Sequence, residues 1–187
     1  MTESLAQAIK VLKEGGLILY PTDTIWGIGC DATNAEAVAK VYALKQRDEA
    51  KSLVMLAADL DMVCRYVRQI PDIALQLVEV NDAPMTLIYP GAMGLASNAI
   101  AEDGSVGIRI PMSQWLTEFV HRFGRPLVST SANISGEPSP GNFAEISQAI
   151  KDGVDYIVDP SLEKESTGKS SQIIKVGLDG EVKIIRA

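Results

Sequence analysis

The chain has 187 residues, with 17 Lys and Arg against 24 Asp and Glu for a formal charge of −7, one His and two Cys. That length suits one domain with a sizeable core, and 47% hydrophobic residues exclude wholesale disorder. A single His excludes any site that needs two in one chain, two Cys cannot build a four-thiolate zinc site, and the negative balance argues against non-specific nucleic-acid binding, which needs phosphate-neutralising Lys and Arg.

In chain order, Leu5, Ala8, Ile9 and Leu12 recur at helical spacing and predict a helix over 4–14, ended by Gly15-Gly16. Residues 17–20 read as a short buried strand stopped by Pro21, and 27–30 as another. Asn34 is a helix cap, and the following helix is expected to end near Leu44. Residues 52–57 are an apolar strand, helices follow near 59–68 and 72–80, and 85–89 and 106–110 are strands. A helix over 113–123 and a strand over 126–130 come next. Segments at 143–151, 154–159, 172–176 and 181–186 finish the chain. Mixed helices and strands with hairpin-like ends predict an α+β fold, a twisted mixed sheet covered by helices, as one domain over 1–187. Residues 1–10 carry no basic start followed by an apolar run, and no stretch approaches the ~18 apolar residues of a membrane helix. The expectation is a soluble, cytoplasmic protein with no membrane partner.

Two nucleotide-binding motifs match only in part. Gly168-Lys169-Ser170 resembles the tail of a P-loop, but Glu163 stands where the first Gly belongs and 172–176 reads as a strand. Gly27-Ile28-Gly29 resembles a dinucleotide fingerprint, but six residues separate it from the preceding strand where a tight turn is required. A third, distributed signal remains. Thr22, Asp23 and Thr24 leave a strand end, as does the 129–133 run of Ser, Thr and Asn, and strand ends are where α/β proteins bind ligands. Lys45 and Arg47, two apart in an extended segment, would face one anion, or else form a solvated helix end. Arg109 shares a strand face with Gly107, and its fork suits a carboxylate or phosphate, or a structural ion pair. His121 reads as a surface or packing residue, and Cys30 as a buried thiol without a nearby His.

The ordered set of Tyr-Pro-Thr-Asp-Thr at 20–24, Gly-Ile-Gly-Cys-Asp-Ala at 27–32, Lys-x-Arg at 45–47, Val-Gly-Ile-Arg-Ile-Pro at 106–111 and Ser-Thr-Ser-Ala-Asn-Ile-Ser-Gly-Glu-Pro-Ser-Pro at 129–140 resembles the YrdC-like family of L-threonylcarbamoyladenylate synthases, in its short, TsaC-type form. The resemblance implies a twisted mixed sheet with helices on both sides and a large concave cavity. It implies synthesis of L-threonylcarbamoyl-AMP from L-threonine, bicarbonate and ATP with Mg2+, releasing pyrophosphate. A downstream threonylcarbamoyl transferase complex would then use the product to modify position 37 of tRNA. By the same resemblance, Thr24, Arg109 and Ser170 would hold threonine. Arg47, Lys51, Ser105, Ser129, Ser131, Asn133, Ser139 and Arg186 would surround ATP, with Lys45 beside them. Lys45 and Arg47 would neutralise the triphosphate. Trp26 stands where Tyr is common, Asp48 where Pro often follows Lys-x-Arg, Leu56 where some members have His, and Gly-Lys-Ser-Ser at 168–171 replaces the usual Glu-Ser-Thr or Pro-Ser-Thr. The alternatives are a non-catalytic protein that binds double-stranded RNA or tRNA, and a carbamoyl-phosphate-type or dihydroxybutanone-phosphate-synthase-like enzyme.

Overall fold

The computed structural model describes residues 2–48 and 53–187. Helix α1 (Glu3–Lys13) is capped by the Thr2 hydroxyl and buries Leu5, Ala8, Ile9 and Leu12, the apolar stripe seen in the sequence. Strands β1 (Ile18–Tyr20) and β2 (Gly27–Gly29) pair antiparallel. The Asn34 side chain caps α2 (Ala35–Lys45) by accepting from the Ala37 N–H. That helix runs to Lys45 and stops at Gln46, whose left-handed φ of 52° turns the chain.

Strand β3 (Val54–Leu56), helices α3 (Leu60–Tyr66) and α4 (Asp72–Val80), and strands β4 (Met85–Tyr89) and β5 (Val106–Arg109) follow. Then come α5 (Gln114–Phe123), the short strands β6 (Leu127–Val128) and β7 (Thr130–Ser131), α6 (Gln148–Asp152) and β8 (Tyr156–Ile157). A 3-10 segment (Pro160–Glu165) leads to the closing hairpin β9 (Gln172–Val176) and β10 (Val182–Arg186). At 143–151 the structure has a 3-10 turn (Phe143–Glu145) and a short helix.

The expected mixed sheet is built as two hydrogen-bonded ladders. One has the order β7-β2-β1-β8 and the other β10-β9-β4-β5-β3-β6. Both mix parallel and antiparallel pairs. The division falls at Ser129, where the predicted strand over 126–130 breaks: β6 pairs with β3 in the larger sheet and β7 with β2 in the smaller. The Tyr20 hydroxyl crosses between the sheets to the Val128 carbonyl at 3.1 Å. Gly29 is required here, because a Cβ at that position would lie 2.6 Å from the Tyr20 ring.

The two-residue period of β4 and β5 decides what faces what. Thr86 and Ile88 on β4, with Gly107 and Arg109 on β5, face a cavity of about 810 Å3. Met85, Leu87, Tyr89 and Ile108 point the other way, toward a smaller apolar recess. The register sets Thr86 directly opposite Arg109 and Ile88 opposite Gly107.

Candidate functional site

The large cavity is lined from four directions in sequence. The loop after β1 contributes Thr24, Ile25 and Trp26. The chain just beyond α2 contributes Arg47, and the junction of β6 and β7 contributes Ser129 and Ser131. The closing hairpin and the segment before it contribute Ser170, Ser171, Ile173, Lys175 and Arg186. At this volume the cavity has the size of a small-molecule site.

Arg109 is the buried cation of the wall, at 3% exposure. Its guanidinium pairs with the Asp23 carboxylate and donates from a second nitrogen to the Thr24 hydroxyl at 3.3 Å. The other Asp23 oxygen accepts the Met112 N–H at 2.9 Å. Thr24 is fixed in turn, its hydroxyl 2.8 Å from that of Thr22. A strap from the 3-10 segment closes over this loop. The Thr167 N–H donates to the Asp23 carbonyl at 3.1 Å, and the Gly168 N–H to the Thr24 carbonyl at 2.8 Å. The Ser113 hydroxyl binds Glu165 at the strap's start.

Arg109 is thus one half of a structural ion pair, and it also faces the cavity. The pair needs only part of a planar fork with five N–H donors, so the group can hold a second anion while Asp23 fixes its orientation. On the far side of the ladder, Arg186 donates twice to the Ser171 carbonyl, at 2.8 and 2.6 Å, and burial lowers its pKa from the ordinary value. The Thr86 and Ser171 hydroxyls lie 2.8 Å apart in the same wall. At the rim, Asp103 accepts from Ser105 and from Lys175. The Ser105 hydroxyl, then Lys175, hold its carboxyl well below the usual carboxylate range.

Of the expected threonine contacts, Thr24, Arg109 and Ser170 all line this one cavity. Of the expected ATP contacts, Arg47, Ser105, Ser129, Ser131, Ser139 and Arg186 line it as well. Lys51 lies outside the described residues. Two expectations need correction. Lys45 does not share one open face with Arg47. It is still helical and 1% exposed, and its ammonium donates to the carbonyls of Ser131 and Asn133 at 2.5 and 2.7 Å. Burial, then the charge of Arg47, lowers its pKa to about 8. Asn133 is not among the residues of the cavity wall, and its amide oxygen is buried without a hydrogen-bond partner among the described residues. Its amide donates to the Ile134 and Glu137 carbonyls at 2.9 Å each, shaping the turn, because a short amide side chain closes such loops on its own backbone.

The partial motifs are structural. Gly27–Gly29 is a strand, and Gly168 to Ser170 lies in a loop that leads into a strand. His121 is exposed, 3.8 Å from Asp59. Cys30 is buried, and burial pushes its thiol pKa up, which disfavours the thiolate. The residues that sequence reasoning left out are Asp23 as the partner of Arg109, and Thr86 and Ser171. The signal for Asp23 was present: an acid leaving a fully apolar strand requires a cation if it is buried.

Residues 10–187 match the Sua5/YciO/YrdC protein family, described as "Telomere recombination". The chain is 34% identical over 155 residues to the threonylcarbamoyl-AMP synthase of Chromohalobacter salexigens, covering 81% of this chain and 83% of that one. It is 32% identical over 177 residues to the same-named protein of Idiomarina loihiensis, covering 93% and 90%. Sua5 of P. abyssi superposes with a TM-score of 0.84 at 25% identity, over 93% of this chain and 54% of that one, so the chain spans about half of that protein. YciO of E. coli shares the fold at a TM-score of 0.80 and 21% identity, over 97% of this chain and 87% of that one.

Proposed function

Because the chain belongs to the Sua5/YciO/YrdC family, we propose that its cavity is the place where L-threonine, bicarbonate and ATP become L-threonylcarbamoyl-AMP and pyrophosphate. The protein is an enzyme of the threonylcarbamoyl-AMP synthase type. The observation that carries the placement is Arg109, a buried, oriented guanidinium on the wall of a cavity that also holds Arg47, Arg186 and a row of hydroxyls. One cation is set for a carboxylate, and two more, Arg47 and Arg186, line the same cavity, where a polyanion would meet them.

The chemistry needs no protein nucleophile. The threonine amine and bicarbonate give a carbamate with loss of water. A carbamate oxygen attacks the α-phosphorus of ATP, and the bond to pyrophosphate breaks. The protein contributes position and charge, the main terms in such transfers. Arg109 holds the threonine carboxylate, with Thr24 and Ser170 beside it. Arg47 and Arg186 face the triphosphate, and Ser129, Ser131 and Ser139 supply hydroxyls to it. Ser105, held by Asp103, borders the same site. Once substrates fill it, the concave wall would limit the access of water to the carbamate and to the mixed anhydride.

Mg2+ fits as a partner of the triphosphate, since it keeps several waters and takes one or two carboxylates at most. Glu102 is the wall carboxylate to assist it, Asp103 being tied to Ser105 and Lys175. When bound, the ion neutralises charge that develops on the phosphates. The product would pass in the cytoplasm to a tRNA-modifying threonylcarbamoyl transferase complex. Among the described residues no helix is long and apolar enough to cross a membrane. The RNA-binding alternative gains no observation of its own.

The test is to incubate purified protein with ATP, Mg2+, bicarbonate and labelled threonine. Pyrophosphate and labelled carbamoyl-adenylate should appear only with all substrates present. Turnover independent of threonine or bicarbonate overturns the reading.

A further inference from the structure

One residue binds the segment after β7 to the end of α2. The Lys45 carbonyl accepts the Ser135 N–H at 2.7 Å. Its ammonium donates to the Ser131 and Asn133 carbonyls, with the Ser131 hydroxyl 3.4 Å away. Three peptide groups between 131 and 135 are thus fixed by a single side chain and its backbone. The Asn133 N–H adds a bond of 2.9 Å to the Ser131 carbonyl, which tightens the same turn.

Burying an ammonium is unfavourable, since both its charge and its long stem lose freedom or hydration. A Met side chain would fill similar space without the lost hydration, at a comparable loss of rotamer freedom. What only the ammonium does is take two buried carbonyl oxygens, which need donors and whose negative ends are unwelcome near a polyanion. Ser131 links this clamp to the cavity. Its carbonyl is held by Lys45, the residue lines the cavity, and its backbone pairs with Gly27 of β2 in the same wall. Arg47, beyond the left-handed Gln46, lines the cavity that Lys45 does not. The two cations of Lys-x-Arg thus divide their work between frame and ligand.

We propose that Lys45 is a positioning residue for the nucleotide subsite, acting through Ser131 by fixing the 131–135 segment and not by touching the phosphates. This rests on the reading of the cavity as an ATP site.

The test is a double-mutant cycle on the affinity of the full chain for a non-hydrolysable ATP analogue with Mg2+, using Lys45→Met, Ser131→Ala and the double variant. Lys45→Met is expected to weaken binding about 10-fold or more. Because coupled residues are not additive, the double variant should bind within about twofold of Lys45→Met alone. Threonine affinity, measured separately, should stay within about twofold in Lys45→Met, an outcome that a general loss of structure would not give. Losses that multiply in the double variant overturn the proposal. So does retention of full affinity by Lys45→Met, which keeps the volume while it removes both donors. If Lys45→Met does not melt cooperatively, Lys45→Arg with Ser131→Ala carries the same cycle. A wild-type chain that binds no ATP analogue overturns the cavity reading itself, whereas normal wild-type binding with multiplying losses overturns only the role of Lys45.

Discussion

Arg109 and Asp23 form an ion pair whose side chains are 3% and 5% exposed, and the same guanidinium faces the cavity and the Thr24 hydroxyl. A buried pair of this kind is weak evidence for stability, but removing one partner leaves an uncompensated charge. Asp23→Asn keeps the shape and loses the charge. It is expected to destabilise the protein by about 3–5 kcal/mol, the usual result of breaking a buried pair. Arg109→Lys keeps the charge and loses the fork. It is expected to raise the KM for threonine at least 10-fold while the KM for ATP stays within about twofold. Thermal unfolding and two-substrate kinetics check both outcomes. Equal shifts in the two KM values in Arg109→Lys would refute the carboxylate role.

Asp23 also shows where sequence reasoning reaches its limit. Helical and strand periodicity placed α1, α4, β4 and β9 within a residue or so, because each has a clear apolar pattern and a clear stop. The alternation in β5 put Arg109 and Gly107 on one face, which the cavity bears out. Three things were not legible. The break at Ser129 depends on which partner strand is nearest, a tertiary fact. The burial of Lys45 depends on carbonyls 86 and 88 residues away, whereas the local pattern looked like a charged helix end. The turn made by Asn133 depends on its amide nitrogen meeting the Ile134 and Glu137 carbonyls, a loop geometry that the residue type alone does not specify.

The lowered pKa of Lys45 gives a stability prediction with a definite sign. The ordinary value is 10.5 and the folded value about 8. Below about pH 8 the folded chain carries the full penalty of the buried charge. Between about 8 and 10.5 the unfolded chain binds more protons than the folded one, so stability rises with pH through that window. The gain is bounded at about 3 kcal/mol by the size of the shift. The buried Tyr20 and Cys30, whose values are raised, oppose it at high pH. The measurement is therefore the difference in urea stability between wild type and Lys45→Met at pH 7.5 and 9.5. Wild type should gain relative to the variant, and a flat difference counts against a lowered Lys45.

Close packing between the sheets makes a further prediction. A Cβ at position 29 would lie 2.6 Å from the Tyr20 ring and 3.0 Å from the Val128 carbonyl oxygen, in contact with rigid groups on both sides. Gly27, two residues earlier on the same strand, would meet its nearest neighbours at 3.4 Å, which is ordinary contact. Gly29→Ala should therefore cost about 1–3 kcal/mol by overpacking, and Gly27→Ala less. Chemical denaturation of the two variants side by side checks the order, and a larger loss at Gly27 contradicts the packing.

The strap over the Arg109 side of the cavity concerns function more than stability. The Ser166 hydroxyl donates to the Thr24 carbonyl at 2.5 Å, an oxygen that the Gly168 N–H also reaches. Ser166→Ala removes one of these two bonds, worth about 0.5–1.5 kcal/mol, at an exposed loop outside the core. Global stability should change by less than that amount. Hydrogen exchange at Thr167 and Gly168 should speed up, because their N–H groups donate to Asp23 and Thr24 across the same junction. The KM for threonine should rise a few-fold while the KM for ATP holds, since the strap meets the loop that carries Thr24 and Asp23. Faster exchange with no change in threonine KM means that the strap covers this loop without shaping the threonine subsite.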